Sequence, residues 1–154
     1  MASKYTAETI AKWLLSQEQM SPKKLQKMLY YCYVWTLTLS NEKEDGIRNT
    51  LFDEDFKAWV HGPVIPSIYH AYKDHGYSDI PKIDEQINIE DAEVLEILQQ
   101  VFEEYGSFSG NELESISHQE DPWQITRGDR DTYEACNEVI TDQLMFDYYI
   151  QRVE

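Results

Sequence analysis

Three histidines lie close together between residues 56 and 76, in the stretch FKAWVHGPVIPSIYHAYKDHG. A metal site needs ligands that converge on one point, and two ligands on one helix need a spacing of four residues. His61, His70 and His75 offer no pair with that spacing, so no metal is predicted. His61 is expected to hydrogen-bond the local backbone beside a Gly-Pro step. The other two are expected at the surface or near a helix end, where histidine suits the helix dipole.

The two cysteines, Cys32 and Cys136, lie 104 positions apart, and neither has a CxxC partner. Cys32 falls in the middle of an apolar helical pattern, which is the wrong environment for a reactive thiolate. We therefore predict that both cysteines are reduced and buried. The chain has no GxSxG motif, glycine-rich phosphate loop or dinucleotide motif, so no catalytic residue and no cofactor is predicted. An acid–base pair assembled only by the fold would leave no local pattern, so an unrecognised hydrolase stays an alternative.

Acidic residues are concentrated in one part of the chain, whose net charge is −16. Residues 83–126 contain 12 of the 29 Asp and Glu residues and neither Lys nor Arg. Such a surface repels phosphate backbones and attracts cationic partners, so direct nucleic-acid binding is not expected. The alternative is that the acidity only keeps the protein in solution.

Length and hydropathy are those of an ordinary globular protein. A chain of 154 residues can bury its own core, and we predict a single domain over residues 1–154. No apolar run is long enough to span a bilayer, and the N-terminus MASKYTAETIAKWLL lacks the features of a signal peptide. We therefore expect a cytoplasmic protein that does not contact membranes.

The secondary structure that carries these residues is predicted to be mainly helical. In MSPKKLQKMLYYCYVWTLTL, Ser21 can cap a helix that begins at Pro22, and its apolar residues on nearly all sides predict a buried central helix. Residues 50–52 and 56–60 predict a small antiparallel hairpin, and residues 120–131, EDPWQITRGDRD, predict a loop. Further helices are predicted at residues 6–17, 64–73, 90–105, 109–119 and 140–154. The predicted fold is mainly α, a single compact helical domain with one small antiparallel β-hairpin.

Three stretches, in this order along the chain, carry a family resemblance: KLQKMLYYCYVWTL, FKAWVHGPVIPSIYHAY and GNELESISHQEDPW. Together they resemble the Panacea antitoxin domain of SocA-like and GepA-like phage-associated proteins, over nearly the whole chain. The resemblance implies a small, mainly helical domain without known catalytic residues. It also implies an antitoxin that neutralises a toxin protein by direct binding, and at least one member of the family is an adaptor that delivers its toxin to a protease.

The family's motif can be carried over to individual residues of this chain. The matching positions are Lys24, Leu25, Tyr30, His61, Gly62, Pro63, Val64, Pro66, Tyr69, Leu113, His118, Pro122 and Trp123. Those expected to contact a partner are His61, Val64, Pro66, Tyr69, His118 and Trp123. Gly62 and Pro63 are instead expected to set how the hairpin meets the following helix. Glycine allows backbone conformations that other residues avoid, and proline fixes φ. His118 and Trp123 could also tie a short helix to the core.

The leading hypothesis is an antitoxin-type binding protein whose partner is a toxin encoded by an adjacent gene. A second hypothesis is an adaptor that hands its partner to a host protease. A third is a phage-encoded acidic decoy that mimics DNA, although decoys usually spread their acids over most of the surface. Outside residues 83–126 the charge of this chain is nearly balanced.

Overall fold

The central helix of the protein is α2 (Pro22–Leu39), which packs against five of the other helices and two of the strands. Ser21 starts this helix as the sequence predicts, since its hydroxyl accepts a hydrogen bond from the Lys24 backbone N–H at 3.1 Å and Pro22 occupies the first turn. Residues on every side of α2 are buried. The structure is a computed structural model that describes Ala2, Ser3 and residues 5–153.

Helices make up most of the described chain, and the prediction of a mainly α fold is confirmed. They are α1 (Ala7–Gln17), α2, α3 (Pro66–Tyr72), a 3₁₀ turn (Lys73–His75), α4 (Ala92–Tyr105), α5 (Gly110–His118), α6 (Asp121–Arg127) and α7 (Asp142–Ile150). The strands are β1 (Ala2–Ser3), β2 (Asn49–Thr50), β3 (Phe56–Trp59), β4 (Gly62–Val64) and β5 (Val139–Ile140). None of the described helices has the length and apolar character needed to cross a bilayer.

The antiparallel hairpin is present and residues 56–60 contain one of its strands as predicted, but the prediction of the other strand is wrong. Residues 50–52 do not pair with residues 56–60: β2 pairs in parallel with β1, and the side chains after it are buried in the core. The true hairpin joins β3 to β4, and β5 from near the C-terminus adds a third antiparallel strand on the other side of β3. The pairing of β5 with β3 could not be predicted from a local sequence pattern, because the two strands lie about 80 residues apart.

Gly62 and Pro63 therefore lie within β4, and the predicted helix at residues 64–73 begins only at Pro66. Gly62 has φ +106°, and a Cβ atom there would lie 2.7 Å from Lys27 Cε. Both facts require glycine, because other residues rarely adopt that backbone conformation. Pro63 is tolerated because β4 is an edge strand of its sheet.

The segment predicted as a loop at residues 120–131 contains the helix α6, so that prediction is wrong. The sequence held the signals for a helix: Pro122 lies in its first turn, and Gly128 ends it with φ +63°. Glu120 precedes α6 and is buried. Its carboxylate accepts hydrogen bonds from the hydroxyls of Tyr31 at 2.7 Å and Tyr149 at 2.8 Å, which tie α2 and α7 to the start of α6.

Candidate functional site

A groove of about 630 Å³ opens between the first part of α2, the β3–β4 hairpin, α3, and residues 76–77 and 135–137. The hairpin is held against α2 by Gln26, whose side-chain amide donates to the Ile65 carbonyl at 3.0 Å and accepts from the Ile65 N–H at 2.9 Å. A volume of this size is typical of sites that take a ligand or a few side chains of a partner.

Aromatic side chains form much of the groove's wall. Trp59 and Tyr69 pack edge to face with ring centroids 5.3 Å apart, and the Trp59 indole donates a hydrogen bond to the Asn137 side chain at 3.2 Å. Tyr69 is 44% exposed and Tyr77 is 100% exposed. Exposed aromatic rings beside a cavity are typical of surfaces that anchor a protein partner.

Lys27 lines the groove although its side chain is buried, with only 1% of the residue exposed. Its ammonium Nζ donates a hydrogen bond to the Pro63 carbonyl at 3.0 Å. Burial lowers the pKa of Lys27 to about 7, and nearby Lys23 lowers it further while Glu114 opposes the shift. The groove thus contains an amine that is partly protonated at neutral pH.

Glu114 on α5 lies beside this amine and is paired with two other groups. Its Oε1 is 2.6 Å from Lys23 Nζ, and its Oε2 is 3.2 Å from His61 Nδ1. Although desolvation raises the pKa of Glu114, the hydrogen bonds from Lys23 and His61 lower it below its usual range. The prediction that His61 hydrogen-bonds the local backbone is therefore wrong, because α5 brings a carboxylate within its reach.

The sequence from α2 through the hairpin and α3 into α6 matches a known protein family. A model of the SocA-like antitoxins, defined by their Panacea domain, matches residues 25–124. The chain belongs to this family. The matched Panacea domain runs from Leu25 in α2 into α6 and so includes most of the groove. Searches of curated proteins and of solved structures gave no significant match.

The Panacea-domain residues expected to contact a partner divide into two sets. His61, Val64 and Tyr69 line the groove, whereas Pro66 is the partly buried first residue of α3 and does not line it. His118 and Trp123 lie outside the groove and stack on each other, with ring centroids 3.8 Å apart. Their role as contact residues stays a prediction.

Trp123 supports the hairpin from behind. Only 7% of it is exposed, and its indole N–H donates to the Trp59 carbonyl at 2.8 Å. Arg127 lies over the Trp123 ring and donates to the Ala58 carbonyl at 2.9 Å. Because β3 carries Trp59 into the groove wall, these contacts fix the position of that wall.

His118 stacks on the Trp123 ring that supports the hairpin. Burial lowers its pKa, while the Glu114 charge raises it and the Lys27 charge lowers it. Its Nε2 atom is buried and has no hydrogen-bond partner among the described residues. Both effects favour a neutral ring, which stacks on Trp123 without the desolvation of a full charge.

Sequence reasoning missed the polar residues beneath the groove, Gln26 and Lys27. The available signal was their place in KLQKMLYYCYVWTL, a helix that is otherwise apolar nearly all round. Polar side chains on a buried helix need partners, and both find theirs on the segment 63–65.

Candidate reactive groups are few in the described part of the chain. No group of three or more His, Cys, Asp or Glu side chains is placed to hold a metal ion there. Cys32 and Cys136 are both free and buried, as predicted, and burial raises the pKa of the Cys32 thiol. His70 is exposed and His75 ends the 3₁₀ turn, in agreement with the expectation from the sequence.

Proposed function

We propose that the protein is an antitoxin that neutralises a toxin protein by binding it directly, without catalysis or a cofactor. Membership of the SocA-like antitoxin family over residues 25–124 is the observation that carries this proposal. The partner is encoded by an adjacent gene, and the two proteins meet in the cytoplasm. The net charge of −16 argues against nucleic acid as the direct partner.

The groove between α2 and the hairpin is the contact surface in this proposal. His61, Val64 and Tyr69 contact the toxin there, and Pro66 contributes at the start of α3. Tyr77 at the groove's edge adds apolar area that is exposed in the free protein. A toxin bound at this surface cannot reach its own target when the surface that it buries here is the surface that it uses there.

His118 and Trp123 act through the hairpin in this proposal. Their stacked rings and the hydrogen bond to the Trp59 carbonyl hold the groove wall that the toxin meets. Loss of both side chains therefore weakens neutralisation by displacing the wall.

Co-expression with the adjacent reading frame tests the proposal. The neighbouring product alone should arrest growth, and this protein should restore it. Tyr69→Ser and Tyr77→Ser should reduce the rescue, whereas Tyr133→Ser is the matched control, because Tyr133 is 85% exposed and does not line the groove. Normal growth with the neighbouring product alone would contradict the proposal. Equal rescue by all three variants would instead exclude the groove as the contact surface.

The same strains separate masking from delivery to a protease. If masking neutralises the toxin, its half-life should be unchanged or longer when this protein is present. If the protein is an adaptor, the half-life should fall, and it should recover when the host's energy-dependent proteases are deleted one at a time.

A further inference from the structure

The groove differs in charge from the rest of the protein. Among the described residues that line it, none is Asp or Glu, whereas Lys23, Lys27 and His61 are all present. The whole chain has 29 acidic and 13 basic residues. Lys23 and His61 each contact an oxygen of Glu114, so among the described lining residues Lys27 is the lysine that no carboxylate contacts. A cation without a paired carboxylate is complementary to an anionic group.

Lys27 has capacity for a further acceptor. An ammonium carries three N–H donors, and the described residues give Lys27 one hydrogen bond, to the Pro63 carbonyl. Glu114, the carboxylate whose charge acts on Lys27, is already engaged, since its two oxygens contact Lys23 and His61. A buried donor without its full set of partners gains most from an acceptor that arrives with a ligand.

We propose that the groove binds a peptide segment of the partner that carries a carboxylate among large apolar side chains, with the carboxylate at Lys27. The inference rests on the proposed antitoxin function and names the chemistry of the segment that this antitoxin recognises. The apolar side chains pack against Trp59, Tyr69 and Tyr72. The carboxylate belongs either to an Asp or Glu side chain or to a free C-terminus, and both present the same group to Lys27.

The exposed aromatics favour a peptide over a small anion. Tyr77 is fully exposed and Tyr69 nearly half exposed, so the apolar surface continues beyond the cavity itself. Both rings line the groove but extend past it, so a chain that continues beyond the groove covers more of their exposed surface than a free metabolite inside it. The expected partner segment is therefore acidic and apolar, in contrast to the cationic partner that the net charge alone suggests.

Selection from a library of random 12-residue peptides displayed on phage tests this inference with the intact protein. We expect the selected peptides to combine aromatic or aliphatic residues with Asp, Glu or a free C-terminus. Synthetic copies with Glu→Gln or Asp→Asn, and copies with an amidated C-terminus, then identify which carboxylate binds. Removal of the correct carboxylate should weaken binding about tenfold or more, as expected for a hydrogen bond to a charged group.

Variants of the protein locate the site. In Lys27→Met the preference for Glu over Gln should fall to about twofold or less, because the group that reads the charge is gone. Tyr77→Ser and Tyr69→Ser should weaken all selected peptides, and Tyr133→Ser should leave them unchanged. Since Tyr77 is fully exposed, its replacement reports on the groove even if Lys27→Met fails to fold.

Three results would overturn the inference: selection of peptides without an acid, an undiminished Glu preference in folded Lys27→Met, or no selected peptide. The library contains no toxin, so its outcome is independent of the growth assay. Growth rescue without peptide binding would leave neutralisation standing on another surface. Peptide binding without a toxic neighbour would establish the groove's chemistry and contradict the antitoxin function.

Discussion

Replacing Lys27 with methionine should change how the stability of the protein depends on pH. Methionine is similar in length and apolar, so it fills the same space against the hairpin without a charge. The folded-state pKa of Lys27 is about 7, whereas its ordinary value is 10.5, and burial is the largest cause. Between those two values the unfolded chain binds more protons than the folded chain, so the wild-type free energy of unfolding rises with pH. Below pH 7 both states are protonated and the cost of burying the charge is fully present.

The magnitude follows from the size of the shift. Each pH unit above 7 changes the contribution of Lys27 by about 1.4 kcal/mol until the unfolded amine also loses its proton. Between pH 6 and pH 9 the wild type should therefore gain about 2–3 kcal/mol relative to Lys27→Met. His118 increases this gain of the wild type with pH, because the Lys27 charge helps to lower the pKa of His118 and is absent from Lys27→Met. Other groups titrate alike in both proteins and cancel in the difference.

Urea unfolding of both proteins at pH 6, 7, 8 and 9 measures this difference, provided that both unfold in one transition. The free energy of unfolding of Lys27→Met, relative to that of the wild type, should be highest at pH 6 and should fall steadily as the pH rises. NMR titration of the lysine side-chain signals gives the pKa directly. An equal stability difference at pH 6 and pH 9 would refute the reasoning, because it would mean that Lys27 keeps its proton in the folded groove.

Three further substitutions test the supports of the groove by urea unfolding. Glu120→Gln should lower the free energy of unfolding by about 2–4 kcal/mol. The buried carboxylate accepts hydrogen bonds from two tyrosine hydroxyls and from Arg152 at 2.9 Å. A decrease of less than about 1 kcal/mol would contradict this account. Gly62→Ala should cost more than Gly46→Ala, since both have positive φ but only Gly62 would place its Cβ against Lys27. Trp123→Phe should cost about 1 kcal/mol through the lost hydrogen bond to the Trp59 carbonyl, and an unchanged stability would contradict that role.

The helices could be predicted because their signals are local. The cap at Ser21, the proline at the start of α2 and the apolar stripe of α4 are each contained in a few neighbouring residues. The loop assigned to residues 120–131 was wrong for a different reason. Its helix is a short one of seven residues without a side-chain cap, so it lacks the long periodic pattern on which the other predictions depended.

The hairpin could be predicted only in part. The run at Phe56–Trp59 reads as a strand, but the choice of its partner depends on where the rest of the chain lies. Thr50 pairs with the N-terminal strand β1, and β5, from near the C-terminal end of the sequence, pairs with β3. Strand pairing between distant segments leaves no short-range pattern, and three-residue strands carry almost none of their own.

The mainly helical fold, the central α2 helix and the family could be predicted from local patterns and from motifs in a fixed order. Three of the residues predicted to contact a partner, His61, Val64 and Tyr69, line the groove. The burial of Lys27 beside them, the pairing of Glu114 and the stacking of His118 on Trp123 became visible only in the folded structure. These facts set the charge of the groove, and they depend on burial and on distances between elements remote in sequence, which no local pattern encodes.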